Sequence, residues 1–304
     1  RQKKKSKRDK RRKRKRDKKK KETKKKKETK ERDKEMSFCI PLEENPKFFL
    51  GRPRTAEEKS SAQHTSSRLF CFTCAGGNAT IFNSFFFAIP GVQVVAIVLP
   101  GRMPNLKEPS FPTMGKMVKE LADEICKYQD KPFSFFGHSM GSFVSFEVAC
   151  ALETGGFKAP TTCFVSACPA PHKNRFIDPG VARVSTKSYE ELIEHLRKQG
   201  GTPEEVLQCR EIMEMALPAV RADYGILETY RYYPESHRTR ANLFVCYGNK
   251  DDVSVDQLQA WQDASNGQCK LVEFAGGHFY IQQSKDILAF LREQLSSSPP
   301  TQAS

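Results

Sequence analysis

Six short apolar runs, separated by stretches of helical periodicity, constrain this chain more than any other feature. They cover residues 69–74, 92–99, 133–136, 163–167, 243–247 and 271–274, each bounded by Gly, Pro or polar residues. Runs of that length with such borders read as buried strands. Between them, residues 113–128 carry Met117, Leu121 and Ile125 at a spacing of four, with charges between, so one helical face is buried. Residues 139–152 place Val144, Val148, Ala151 and Leu152 on one stripe. Further helical patterns span 188–198, 203–216, 256–264 and 285–295, the second opening on Pro203 in its first turn. Strands alternating with helices predict an α/β chain: a mostly parallel sheet with helices on both faces. The alternation lapses between His172 and Arg240, where helical signals continue without a convincing strand. Such an insertion predicts a helical lid over the strand ends, where open parallel sheets bind ligands. Packing at the sheet edge is the plainer reading.

Charge divides the chain unevenly. Residues 1–36 hold 24 Lys and Arg against 7 Asp and Glu, whereas residues 37–304 hold 27 against 29. The first segment has no aromatic side chain and one apolar residue, the closing Met36, so it cannot bury enough surface to offset its ordering entropy. It reads as a basic low-complexity tail resembling a translated simple repeat, with a solvated tail and a nucleic-acid-binding arm as the other readings. The expected organisation is therefore a tail at 1–36, a polar lead at 37–67, an α/β domain at 68–296 with its lid at about 172–240, and a flexible end at 297–304. Neither Arg1 nor Met36 is followed by the apolar core of a secretion signal, and no run reaches the ~20 residues of a membrane span. With ten cysteines lying singly, that predicts a cytosolic, reducing setting and buried free thiols. Nothing in the sequence demands more than a monomer.

The chemistry centres on "FFGHSMGSFVSFEVA" at 135–149, which runs an apolar segment through Gly-x-Ser-x-Gly into a helical pattern. The pentapeptide alone is weak, since three fixed positions match by chance about 0.1 times in a chain of this length. Its context strengthens it. A nucleophilic serine at a sharp strand-to-helix turn needs glycines two residues to either side. Serine also needs a base, and the base an acid that fixes its tautomer. In this architecture they follow in the order Ser, acid, His, in loops after later strands. "NLFVCYG" ends in "NKDD" and "KLVEF" in "AGGHF", which nominates Asp251 or Asp252 as acid and His278 as base for Ser139. Two donors must also meet the developing oxyanion: the amide of Met140, and one from "CAGGN", assigned to Ala75 with Gly76 as alternative. No metal or organic cofactor is required by this scheme.

Other candidates read more plainly. His138 is a packing residue of the turn, and His64, His172, His195 and His237 are surface residues. Cys71 and Cys74 form a C-x-x-C at a strand end rather than at a helix start, which favours core packing over redox or zinc chemistry. Ile212, Met213, Leu217, Val220, Ile226 and Leu227 divide evenly between core and an acyl channel. Arg52, Arg54, Arg102 and Arg175 are scattered candidates for meeting an acidic partner protein, each more plainly a surface charge.

The segments "CAGGNATIF", "VVAIVLPGR", "KPFSFFGHSMGSFVSFEVA", "GGTPEEV", "RADYGILETYRY", "YGNKDD", "AWQDASNG" and "AGGHFYI" resemble, in this order, the type II thioesterases of the α/β-hydrolase superfamily. Most specifically they are similar to the animal medium-chain S-acyl fatty acid synthase thioesterases, also called oleoyl-ACP hydrolases. The resemblance implies an α/β-hydrolase fold and hydrolysis of an acyl thioester from the phosphopantetheine of an acyl carrier protein, releasing medium- to long-chain fatty acid or clearing stalled chains. It implies Ser139 as nucleophile, His278 as base and Asp251, three residues after Gly248, as acid. The basic run before Met36 has no counterpart in that pattern.

Overall fold

The computed structural model describes residues 39–42, 45–51 and 55–296; the expected tails at 1–36 and 297–304, with Arg52 and Arg54, lie outside them. The apolar runs form strands β3 (Ser67–Phe72), β4 (Val92–Ile97), β5 (Phe133–His138), β6 (Thr162–Ser166), β7 (Asn242–Gly248) and β8 (Cys269–Phe274). They lie parallel, in the order β4-β3-β5-β6-β7-β8. The polar lead, read as lacking strands, supplies two more. β1 (Cys39–Leu42) and β2 (Asn45–Gly51) pair antiparallel with each other, and β2 pairs antiparallel with β4, closing that edge of the sheet. The segment was illegible because Pro41 and Pro46 interrupt its apolar runs, and a proline argues against a strand away from a sheet edge; Phe48 and Phe49 gain their strand from the β4 edge they cover.

Side chains along a strand point alternately to opposite faces. Phe70, Phe72 and Phe135 accordingly enter one buried cluster, and Leu69, Cys71 and Phe136 the other. A short helix α1 (Ala56–Gln63) leads into β3, and the first cluster packs under helices α2 (Met114–Ile125), α3 (Met140–Thr154) and the inserted helices. The second packs against the 79–89 segment and α8 (Asp286–Ser296). Edge-on aromatic pairs line both, among them Phe70 with Phe133 and Phe85 with Phe136. α2 begins at Thr113, whose hydroxyl caps the Lys116 amide, and its Met117, Leu121 and Ile125 are fully buried as their spacing predicts. α3 differs from its expected stripe: it is buried nearly all round, because it lies between the sheet, α2 and the insertion.

Between β6 and β7 the described chain forms no strand beyond an isolated bridge of Thr239 with Ser265, and its main helices are α4 (Tyr189–Gln199), α5 (Glu204–Gln208) and α6 (Arg210–Thr229). Residues 203–216, read as one helix, are two. Cys209 leaves helical geometry, and α6 restarts and runs on to Thr229 through an internal Pro218. A proline inside a helix removes one backbone hydrogen bond, so α6 is a helix with a weakened middle. α7 (Val255–Gln259) then precedes β8. No helix among the described residues is long and apolar enough to cross a membrane.

Candidate active site

The end of β5 turns into α3 within one residue, Ser139, with φ 55° and ψ −120°. That conformation is costly for a side chain larger than hydrogen and persists only where the surroundings impose it. Here they do. A Cβ on Gly141 would lie 2.1 Å from the Phe72 carbonyl oxygen, and one on Gly137 would lie 2.3 Å from that of Gly141. The two glycines of the motif therefore let α3 start directly against the ends of β3 and β5. Ser139 occupies the N-cap position, where serine usually caps its own helix, yet its side chain makes no cap bond. The hydroxyl is left for other partners.

A buried polar network underlies the turn. The Ser139 amide donates to the Ser166 carbonyl at 2.8 Å, and Ser142 Oγ donates to the carbonyls of Gly137 and Ser166. Ser166 Oγ lies 3.0 Å from His138 Nδ1 and 2.8 Å from the Tyr280 hydroxyl. Burial, and secondarily the neighbouring His278, hold His138 well below the usual imidazole range. His138 is a neutral packing residue, its ring centroid 5.2 Å from that of His278.

The loops after β7 and β8 are tied together by main-chain bonds, Asn249 N–H to Phe274 C=O at 2.9 Å and Lys250 N–H to Gly276 C=O at 2.8 Å. This brings His278 Nδ1 to 3.0 Å from Asp251 Oδ2 and 3.2 Å from Oδ1. Asp252 instead donates its amide to Asp251 Oδ1 at 2.8 Å. Of the two candidate acids, Asp251 is the one that meets the imidazole.

Ser139 and His278 sit where two cavities meet. One, of about 220 Å³, is lined by Met140, Phe143, Arg175, Leu227 and Asp251 among others. The other, of about 370 Å³, lies under the insertion and is lined by Ala75, Gly76, Val206, Ile212, Met213 and Val220. The six residues considered for an acyl channel thus divide. Ile212, Met213 and Val220 face the second cavity and Leu227 the first, whereas Leu217 and Ile226 are core. Met140 is the first residue of α3, so its N–H has no acceptor within the helix. In the 75–77 turn, the Gly76 amide donates to Asp223 Oδ2 at 2.7 Å and the Gly77 amide to the Cys74 carbonyl at 2.9 Å. Ala75, not Gly76, is the amide of that turn with no acceptor among the described residues.

Arg102, read as a surface charge, is buried and ion-paired with Asp223. Three histidines read as surface residues are also engaged. His195 meets the Tyr224 hydroxyl at 3.0 Å, His237 meets Glu147 at 3.0 Å, and His172 stands 3.5 Å from Asp263. Cys71 and Cys74 are buried free thiols, and burial, with the nearby Asp223 carboxylate, pushes Cys74 up to about 12. Cys126, Cys209 and Cys269, expected to be buried, are only partly so.

A parallel sheet with a serine at the strand-to-helix turn, and acid and histidine in later loops, defines an α/β-hydrolase. Residues 67–295 match the family model described as thioesterase domain, and the chain belongs to that family. It is 36% identical over 228 residues to a probable cadicidin biosynthesis thioesterase from Streptomyces griseus, a match covering 74% of this chain and 61% of that protein. It is 29% identical over 219 residues to the medium-chain S-acyl fatty acid synthase thioesterase of Homo sapiens, covering 70% and 80% respectively. Among solved structures, the type II thioesterase BorB from the borrelidin biosynthetic cluster superposes with a TM-score of 0.71 at 33% identity, covering 83% of this chain and 98% of BorB.

Proposed function

We propose that this thioesterase hydrolyses acyl thioesters carried on the phosphopantetheine arm of a carrier protein, through a covalent acyl-serine. The observation that carries the proposal is the bond from His278 Nδ1 to Asp251 in a loop pair that brings His278 and Ser139 to one cavity. His278 takes the proton of Ser139 as its oxygen attacks the thioester carbonyl, and Asp251 holds the ring with Nε2 toward the serine. The amides of Met140 and Ala75 receive the oxyanion. His278 returns its proton to the sulfur as the tetrahedral intermediate collapses and pantetheine thiol leaves, and the thiol's reference pKa near 8.5 makes that departure less demanding than an alkoxide's. Water, deprotonated by the same histidine, then releases the acid.

A fatty acid synthase carrier domain is the proposed partner, supported by the similarity to the human medium-chain enzyme over 70% of the chain. Editing of a polyketide or peptide synthase is the second reading, favoured by the higher identity to the Streptomyces protein and by the match to BorB. The deciding experiment compares turnover of acyl-carrier thioesters of several chain lengths with turnover of glycerol esters, by wild type and Ser139→Ala. The Ala variant is expected to lose at least ~10⁴-fold in kcat. Faster cleavage of the glycerol esters would overturn the thioester assignment, and an active Ala variant the nucleophile.

A further inference from the structure

Three segments distant in the chain converge beside the nucleophile on one buried carboxylate. Asp223 of α6 accepts two hydrogen bonds from Arg102, Nη1 to Oδ2 at 2.8 Å and Nη2 to Oδ1 at 2.9 Å. The same Oδ2 accepts from the Gly76 amide at 2.7 Å, and Arg102 Nη1 also reaches the Gly77 carbonyl at 3.3 Å. Gly76 has φ +70°, and a Cβ there would lie 2.5 Å from Val220 Cγ2, one helical turn from Asp223. The 75–77 turn therefore rests directly on α6 and is fastened to it by a fork of charged hydrogen bonds.

Stability alone does not account for such a pair, because a buried ion pair often does no better than apolar side chains of similar volume. What apolar side chains cannot supply is direction. The pair engages the N–H of Gly76 and the C=O of Gly77, and so fixes the Ala75–Gly76 and Gly77–Asn78 peptide planes, while the Gly77 N–H bond to the Cys74 carbonyl closes the turn on the plane that carries the Ala75 N–H. An oxyanion donor acts only when it is held at the position where charge develops.

We propose that Arg102 and Asp223 are positioning residues for the hydrolysis: they commit the Gly76 amide elsewhere and lock the turn so that the Ala75 amide meets the oxyanion. This rests on the acyl-serine reading of Ser139. It makes the inserted helix α6 a structural part of the oxyanion site as well as a wall of the cavity.

The test is the apolar double variant Arg102→Met/Asp223→Leu beside the single variant Asp223→Asn, followed by melting temperature, kcat and KM on an acyl-carrier thioester, and the rate of fluorophosphonate labelling of Ser139. The double variant is expected to melt near wild type, to keep KM within about 3-fold, and to lose about 100-fold in kcat and in labelling rate, the scale of a misplaced catalytic group. A double variant that melts like wild type and keeps its kcat overturns the proposal. Should the double variant not fold, Asp223→Asn decides. It retains an acceptor for Gly76 but breaks the charged fork, and an unchanged kcat there overturns the proposal equally. A wild type that labels at Ser139 yet cleaves no thioester would refute the substrate reading; the labelling rates then decide the positioning role, equal rates in wild type and variants overturning it.

Discussion

Asp251 and Asp252 are chemically identical neighbours separated by what each touches. Asp251 accepts from His278 Nδ1, whereas Asp252 contributes a backbone amide to Asp251. Asp251→Asn is expected to lower kcat by about 10⁴-fold, because the amide stabilises the wrong imidazole tautomer. Asp252→Asn should leave kcat within about 3-fold, and steady-state kinetics on one substrate separates the two. The glycines of the turn carry a second prediction at this scale. Gly141→Ala places a methyl 2.1 Å from the Phe72 carbonyl oxygen, which backbone on both sides cannot yield to. The expected cost is about 1–3 kcal/mol or more, read by chemical denaturation. The sharp turn at Ser139 with its two glycines, and the place of His278 after the last strand, were legible because the strand runs and the turn residues are local features of the chain. Arg102 and Asp223 were not, although Asp223 shares the buried stripe of Val220 and Leu227; a charge on an apolar face signals a partner without saying where it lies.

Elements show the same division. The strand runs were readable because a doubly covered parallel sheet demands continuous apolar residues. The extent of α6 was not, since Pro218 reads locally as a helix stop and only packing against the 75–77 turn and the core carries the helix past it. The segment after α6 is fastened to α3 by His237 and the Tyr230 hydroxyl, both on Glu147. The bond to Glu147 raises the His237 pKa above its usual value, against a smaller opposing effect of burial. A group whose pKa is raised on folding contributes stability that is complete below its unfolded value, about 6.5, and lost as pH rises through the folded value. The melting temperature of His237→Ala should therefore lag wild type most below about pH 6, the gap narrowing as the imidazole loses its proton. A gap independent of pH would show that the pair contributes nothing through charge.

At the scale of the whole molecule, two cavities meet at Ser139 and His278, and their walls come from both the sheet domain and the insertion. Met213 is buried and faces the cavity under the insertion. Met213→Trp is expected to shift preference toward shorter acyl chains, seen as a rise in KM for long substrates with kcat on short ones retained. The antiparallel edge is equally a property of the whole. Phe48 of β2 is fully buried, its ring 5.6 Å from Phe70 and 5.2 Å from Tyr128. Phe48→Ala should cost about 3–5 kcal/mol in denaturant unfolding, the usual scale for emptying such a site.

The sequence by itself determined the alternating strand and helix order, the serine turn, and the positions of acid and base after later strands, because periodicity and local backbone chemistry are properties of neighbours in the chain. Tertiary structure decided the contacts. It set His278 against Asp251, the acid the resemblance implies, and not against Asp252; it engaged the Gly76 amide and left that of Ala75 without an acceptor among the described residues; and it joined Arg102 to Asp223 across 121 residues. It also recruited β1 and β2 to the sheet edge. Each of these depends on which distant backbone amides, carboxylates and strand edges are brought within a few ångströms, and spacing along the chain carries no record of such distances.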